Sequence, residues 1–191
     1  MYISRGGIHA AFIFVLAAGT IVQAAATLDL TGTGSSGEIN GALFFQADPQ
    51  PTGTGSIRSF VRLQGNEDVS QGYNTDGRPL QFDENTSSEF TRSLLLADVP
   101  VVNIGGTDYR EFLLDINESN GADKNLLSLD KFEVYLGQDG NLLDYPHLGT
   151  KVYDLDEGAD HWILLDYDLN PGSGGGDLFA YVSDESFDDA D

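Results

Sequence analysis

The chain has 191 residues, 31 acidic and 9 basic side chains, a formal net charge of −22 at pH 7 and no cysteine. Such a surplus of negative charge repels phosphate backbones and anionic bilayers, which argues against nucleic acid and acidic membrane surfaces as partners. Without cysteine there is no disulfide framework, no thiolate zinc site and no cysteine nucleophile, so the fold must be held by its core or by bound metal.

Residues 1–26 read as a secretory signal peptide. Arg5 supplies a positive start, Ile8 to Val22 is apolar and uncharged, and Gln23-Ala24-Ala25-Ala26 offers small residues for cleavage after Ala24 or Ala26. The apolar run of about 15 residues is short beside the roughly 20 that a bilayer span needs, and no second one follows. The expected location is therefore secreted, extracellular or at the cell surface, with no membrane span after leader cleavage. Residues 27–182 are expected to form one domain, and 183–191 an acidic, disordered tail.

Short runs with period-two alternation follow the leader, separated by Gly, Asn, Asp and Pro, while apolar residues at helical spacing are scarce. Strands are expected at 27–31, 39–46, 57–63, 80–82, 90–96, 99–104, 109–117, 131–136, 151–155, 161–169 and 178–182. Between the first two, Gly32 to Gly37 spells Gly-x-Gly-x-x-Gly. A dinucleotide site would need a helix to open there, and the strand-like Glu38 to Phe44 follows, so the stretch reads as a flexible loop. In 109–117, Phe112, Leu114 and Ile116 point one way and Glu111, Leu113 and Asp115 the other. Gly105-Gly106, Asn120-Gly121 and Asp139-Gly140 read as turns. One wet and one dry face per strand specifies an all-β fold, an antiparallel β-sandwich of jelly-roll-like type.

Three oxygen-rich clusters are candidate calcium sites. Asp115, Asn117, Ser119, Asn120 and Asp123 alternate off a strand end into an Asn-Gly turn. Asp154, Asp156, Glu157 and Asp160 precede the strand at 161–169, and pairing of that strand with 151–155 would bring the Asp154/Asp156 set near Asp166/Asp168. Asp166, Asp168 and Asn170 project from one strand end, with Asp177 returning after a glycine-rich loop. The last set resembles an EF-hand loop only in spacing, since Pro171 stands where the loop needs glycine and Asp177 where it needs a bidentate glutamate. The competing reading for each cluster is solvated acids and Asx turns. Tyr73, Tyr109, Tyr135 and Trp162 are candidates for stacking on a sugar ring, Trp162 and Tyr135 foremost, against burial beneath a loop or between sheets. His147 and His161 sit in no metal or triad spacing, and no Gly-x-Ser-x-Gly elbow occurs.

Several blocks resemble a family of secreted bacterial proteins of unknown function that often carry a PEP-CTERM surface-sorting tail. They are Gly72 to Pro79, Gln81 to Ser87, Tyr109 to Asn117, Val152 to Asp156, and Asp166 to Gly174 with Gly176-Asp177. The resemblance implies export and, in tailed members, exosortase-type processing in organisms that make exopolysaccharide. It carries over no catalytic residue. The tail has no counterpart here, which leaves free release and a chain that continues beyond Asp191 both open. The expected function is a non-enzymatic structural or adhesive protein of the biofilm matrix, with calcium as the candidate cofactor and matrix polysaccharide or cell-surface components as partners. The alternative is a carbohydrate-binding module, and a glycoside-active enzyme using two of the many carboxylates comes third.

Overall fold

The structure is a computed structural model, and it describes residues 25–47, 58–64, 69–116, 125–171 and 176–188. Residues 1–24 of the expected leader, and Asn117 and Asp123 of the first oxygen cluster, lie outside the described residues.

Among the described residues ten strands form three sheets. The largest has the order β2 (Ser36–Ile39), β3 (Ala42–Gln46), β10 (Leu178–Ser183), β5 (Thr107–Leu114) and β4 (Val101–Ile104), and every neighbouring pair is antiparallel. A second sheet sets β9 (Trp162–Asp166) between β1 (Thr27–Asp29) and β6 (Leu126–Leu129), with β1 parallel to β9. The third is the antiparallel pair β7 (Glu133–Leu136) and β8 (Thr150–Asp154). The fold is all-β, a sandwich that does not close into a barrel. Among the described residues no helix is long and apolar enough to cross a membrane.

Alternation decides what fills the middle. Ala42 and Phe44 of β3 and Leu178, Ala180 and Val182 of β10 turn inward from the five-stranded sheet. They meet Ile163 and Leu165 of β9, and Tyr153 and Leu155 from β8 and the turn after it. Phe132 is the hinge of the aromatic centre, edge-on to Phe44 at 6.2 Å and to Phe112 at 6.1 Å, and 5.7 Å from Tyr153. Each such side chain contributes about 1.5–3 kcal/mol by leaving water.

Several expectations are corrected. Ser36–Ile39 is strand β2, where the glycine-rich stretch reads as a loop. Asn40-Gly41 joins it to β3 with φ of 50° and 80°, the pair of left-handed residues a two-residue hairpin requires. Residues 80–82 and 90–96 are not strands, and in 58–63 only Leu63 makes a bridge, to Glu84. Side chains hold this region instead. Buried Glu84 accepts the Tyr73 and Phe82 amides (3.1 and 2.8 Å), and Arg78 donates to the Thr75, Gly77 and Thr91 carbonyls. β8 pairs with β7 rather than β9, so Asp154/Asp156 and Asp166/Asp168 do not share a hairpin. The domain also runs past Val182. Asp184–Phe187 forms a 3₁₀ turn, Phe187 joins the core, and Asp184 pairs with Arg110 at 2.5 Å, because an aromatic side chain this far along the chain still has core to fill.

Candidate functional site

The oxygen-rich site that the fold assembles comes from strand register. The β5–β10 ladder ends with Leu178 opposite Leu114, and the two acids that flank this last pair, Asp177 and Asp115, lie close enough for the Asp115 charge to act on Asp177. Leu114 and Leu178 turn to the core. Gly176 permits the approach, because a Cβ there would collide with Leu113. The Asp177 amide donates to the Leu114 carbonyl (2.8 Å), and the Asp177 carbonyl accepts from the Ala47 amide (2.9 Å), which fixes the residue between β5 and the end of β3.

The Asp177 side chain is only 4% exposed. Its Oδ2 accepts the Ile116 N–H at 2.6 Å, while its Oδ1 is buried with no hydrogen-bond partner among the described residues. Burial pushes its carboxyl up to about 7; the Ile116 amide opposes that shift and the Asp115 charge adds to it. A buried carboxylate without a countercharge is a costly object. Asn170, 6% exposed, stands beside it. Its Nδ2 donates to the carbonyls of Ala47 and Gly176, both at 2.8 Å. Two carbonyl partners fix which end of the amide is nitrogen. The remaining Oδ1 is buried with no hydrogen-bond partner among the described residues.

The other predicted ligands are committed elsewhere. Asp166 Oδ1 accepts from Asn125 Nδ2 and from the Asp168 amide, both at 3.0 Å, as the cap of the 3₁₀ turn at 167–169, and Asp168 is exposed. Asp154 accepts the Lys151 ammonium at 2.6 Å on Oδ2 and the Asp156 amide at 3.0 Å on Oδ1. Asp156 Oδ1 accepts the His161 amide at 2.9 Å. The Asp154/Asp156 cluster is therefore a loop fastening. Among the described residues no three carboxylate or imidazole side chains converge on one point. The Asp115–Asp177 site is two acids and an amide, drawn from two clusters that are far apart in sequence.

The aromatic candidates divide as well. Tyr135 belongs to a group with Tyr73, Phe82 and Tyr145, whose ring centroids lie 6.1–6.4 Å apart. Their hydroxyls are spent internally. Tyr145 and Tyr135 donate to Glu133 Oε2 (2.5 and 3.3 Å) and Tyr73 to Gln81 Oε1 (3.1 Å). Glu133, its side chain 8% exposed, also accepts Lys151 at 2.8 Å. A shallow groove beside this network is lined by Lys151, Val152, Tyr153, Asp154 and Glu157. The group is a small second core that pins the 69–93 region onto the β7–β8 pair. Trp162 is half-buried on the outer side of β9, since Ile163 and Leu165 face inward.

Sequence reasoning missed a different surface. The outer side of the five-stranded sheet carries Phe45, Leu113, Phe179 and Tyr181, all half-buried. Tyr181 is edge-on to Phe45 at 5.6 Å and stacked at 23° beside Phe179 at 5.9 Å. Its hydroxyl donates to Glu111 Oε2 at 3.0 Å, and burial first, then Glu111, pushes it up to about 12. The signal was present: these strands are apolar at consecutive positions, and so not dry on one side only. His161, wholly buried, accepts the Ala26 amide on Nδ1 at 2.7 Å, and the Ala26 carbonyl accepts from Trp162. In comparison with known proteins, no family model matches the chain, and no curated protein or solved structure does so either.

Proposed function

We propose that the chain is a non-enzymatic structural or adhesive protein, secreted or held at the cell surface, that meets matrix polysaccharide through the outer side of its five-stranded sheet. The observation that carries this reading is the aromatic strip Phe45–Tyr181–Phe179 on that side. Rings on a broad sheet offer apolar faces to the C–H faces of sugars, and Glu111 and the Tyr181 hydroxyl stand beside them for the polar edges. The block resemblance to secreted proteins of exopolysaccharide-producing bacteria points the same way. So does the way the carboxylates of Glu84, Asp154 and Asp156 are spent on fastening loops. A carbohydrate-binding module in the narrower sense would use the same strip.

Retardation in native gels containing acidic or neutral exopolysaccharide tests the reading. The parent protein is expected to be slowed, and Tyr181→Ala and Phe179→Ala to migrate freely while melting as cooperative folds. Equal migration of the parent with and without polysaccharide overturns it.

A further inference from the structure

We infer that Asp115, Asn170 and Asp177 form a binding site for one divalent, oxygen-seeking cation of the calcium class. The site is distinct from the aromatic strip and does not depend on the polysaccharide reading. Its placement follows from the backbone: Asp177 is held at the end of the β5–β10 ladder by the Leu114 carbonyl and the Ile116 amide, on either side of Asp115, and Asn170 is tied by two hydrogen bonds to the carbonyls of Ala47 and Gly176.

Two separate observations point to a ligand there. The first is Asp177 Oδ1, buried, with no hydrogen-bond partner and with no basic side chain acting on it among the described residues. The second is Asn170 Oδ1, also buried and with no hydrogen-bond partner among the described residues, on an amide whose nitrogen is already committed. Native interiors rarely leave one such acceptor unserved, and two on neighbouring residues ask for a common partner. A proton donor could serve one of them. A cation serves both and also converts the repulsion between Asp115 and Asp177 into two attractions.

The donor set selects the class. Carboxylate and amide oxygens without nitrogen or sulfur suit a hard ion. Calcium accepts six to eight oxygens in irregular geometry, so three side chains can be completed by carbonyls and water, whereas magnesium demands a tighter octahedron. Asp177 would bind through Oδ1 alone, since Oδ2 keeps the Ile116 amide. The ion would thus tie β5, β10 and the 3₁₀ turn at 167–169 together at one end of the sandwich.

Isothermal titration of the purified protein with calcium chloride at pH 8 decides the matter. One calcium per chain is expected, weakened roughly tenfold or more by Asp177→Asn and by Asn170→Ala, and unchanged by Asp168→Asn at the exposed neighbour. Terbium bound to the same protein should be displaced by calcium in the parent and bind weakly in Asp177→Asn, a readout that does not rely on stability. Absence of heat and of terbium luminescence at millimolar ion, or equal binding by parent and Asp177→Asn, overturns the inference. Loss of polysaccharide retardation in Tyr181→Ala with calcium binding intact separates the two proposals.

Discussion

The Asp177 carboxylate takes the amide of Ile116 at 2.6 Å, its single hydrogen bond among the described residues, just beyond Leu178 and Leu114, the last paired residues of β10 and β5. That contact closes the open end of the sheet on a buried charge. Two substitutions of Asp177 should therefore act in opposite senses when calcium is chelated. Asp177→Asn keeps an acceptor for Ile116 and removes the charge, so its melting temperature is expected to equal or exceed that of the parent. Asp177→Leu leaves the Ile116 amide unserved and is expected to cost about 1–3 kcal/mol in urea unfolding. Equal losses in both would mean that the charge is not the issue.

The Lys151 network sets a dependence on acid. Burial alone would raise the Glu133 carboxyl, but hydrogen bonds from Lys151 and Tyr145 outweigh it and hold it below the usual carboxylate range. Asp154 is lowered in the same way, burial opposing and Lys151 prevailing. A carboxyl lowered on folding adds stability that is fully present above its unfolded value, about 4, and is lost as pH falls through its folded value. Stability is therefore expected to rise from pH 3 to pH 5, and the rise should be smaller in Lys151→Met. Urea unfolding at each pH reads both slopes, and parallel slopes would contradict the assignment.

The β2–β3 hairpin depends on its two turn residues. Asn40 Nδ2 donates to the carbonyls of Asp154 (3.1 Å) and Leu155 (2.8 Å), so it clamps the five-stranded sheet to the turn after β8. Asn40→Ala is expected to cost about 1–3 kcal/mol, since it removes these bonds and the tolerance of a positive φ. A Cβ at Gly41 would meet open space, so Gly41→Ala should cost only the left-handed backbone penalty of about 1–2 kcal/mol. A smaller loss for Asn40→Ala than for Gly41→Ala would contradict the clamp.

If the expected leader is cleaved, the cleavage point bears on the same packing. Cleavage after Ala24 leaves Ala26 to donate to His161 and to accept from Trp162, whereas cleavage after Ala26 removes both bonds from a wholly buried histidine and a strand amide. If the chain is exported and processed, the mass of the product is expected to correspond to an N-terminus at Ala25. A product starting at Thr27 would show that the fold tolerates the loss.

The strands that sequence reading found are those with one dry and one wet side, such as β5 and β9, because alternation is written in the residues themselves. β2 was hidden by Ser36 and Gly37, a polar edge strand whose clearest sign was the Asn40-Gly41 turn after it. Residues 80–82 and 90–96 look like strands but are held by Glu84 on the Phe82 amide, Arg78 on the Thr91 carbonyl and Asp76 on the Ser93 amide, and such side-chain-to-backbone bonds have no period. The candidate site was half legible. Asp115, Asn170 and Asp177 were each singled out, but grouped with sequence neighbours. What brings them together is tertiary: the end of the β5–β10 ladder, and the bonds from Asn170 to the carbonyls of Ala47 and Gly176, none of which one strand encodes alone.

The most direct measurement is thermal melting of the purified protein in calcium and in chelator, with Asp177→Asn alongside. An ion held at the end of the β5–β10 ladder should raise the parent midpoint by roughly 5–10 °C once calcium exceeds its Kd about a hundredfold, and leave the variant unmoved. Superimposable parent curves at millimolar calcium, or an equal rise in the variant, would contradict the account.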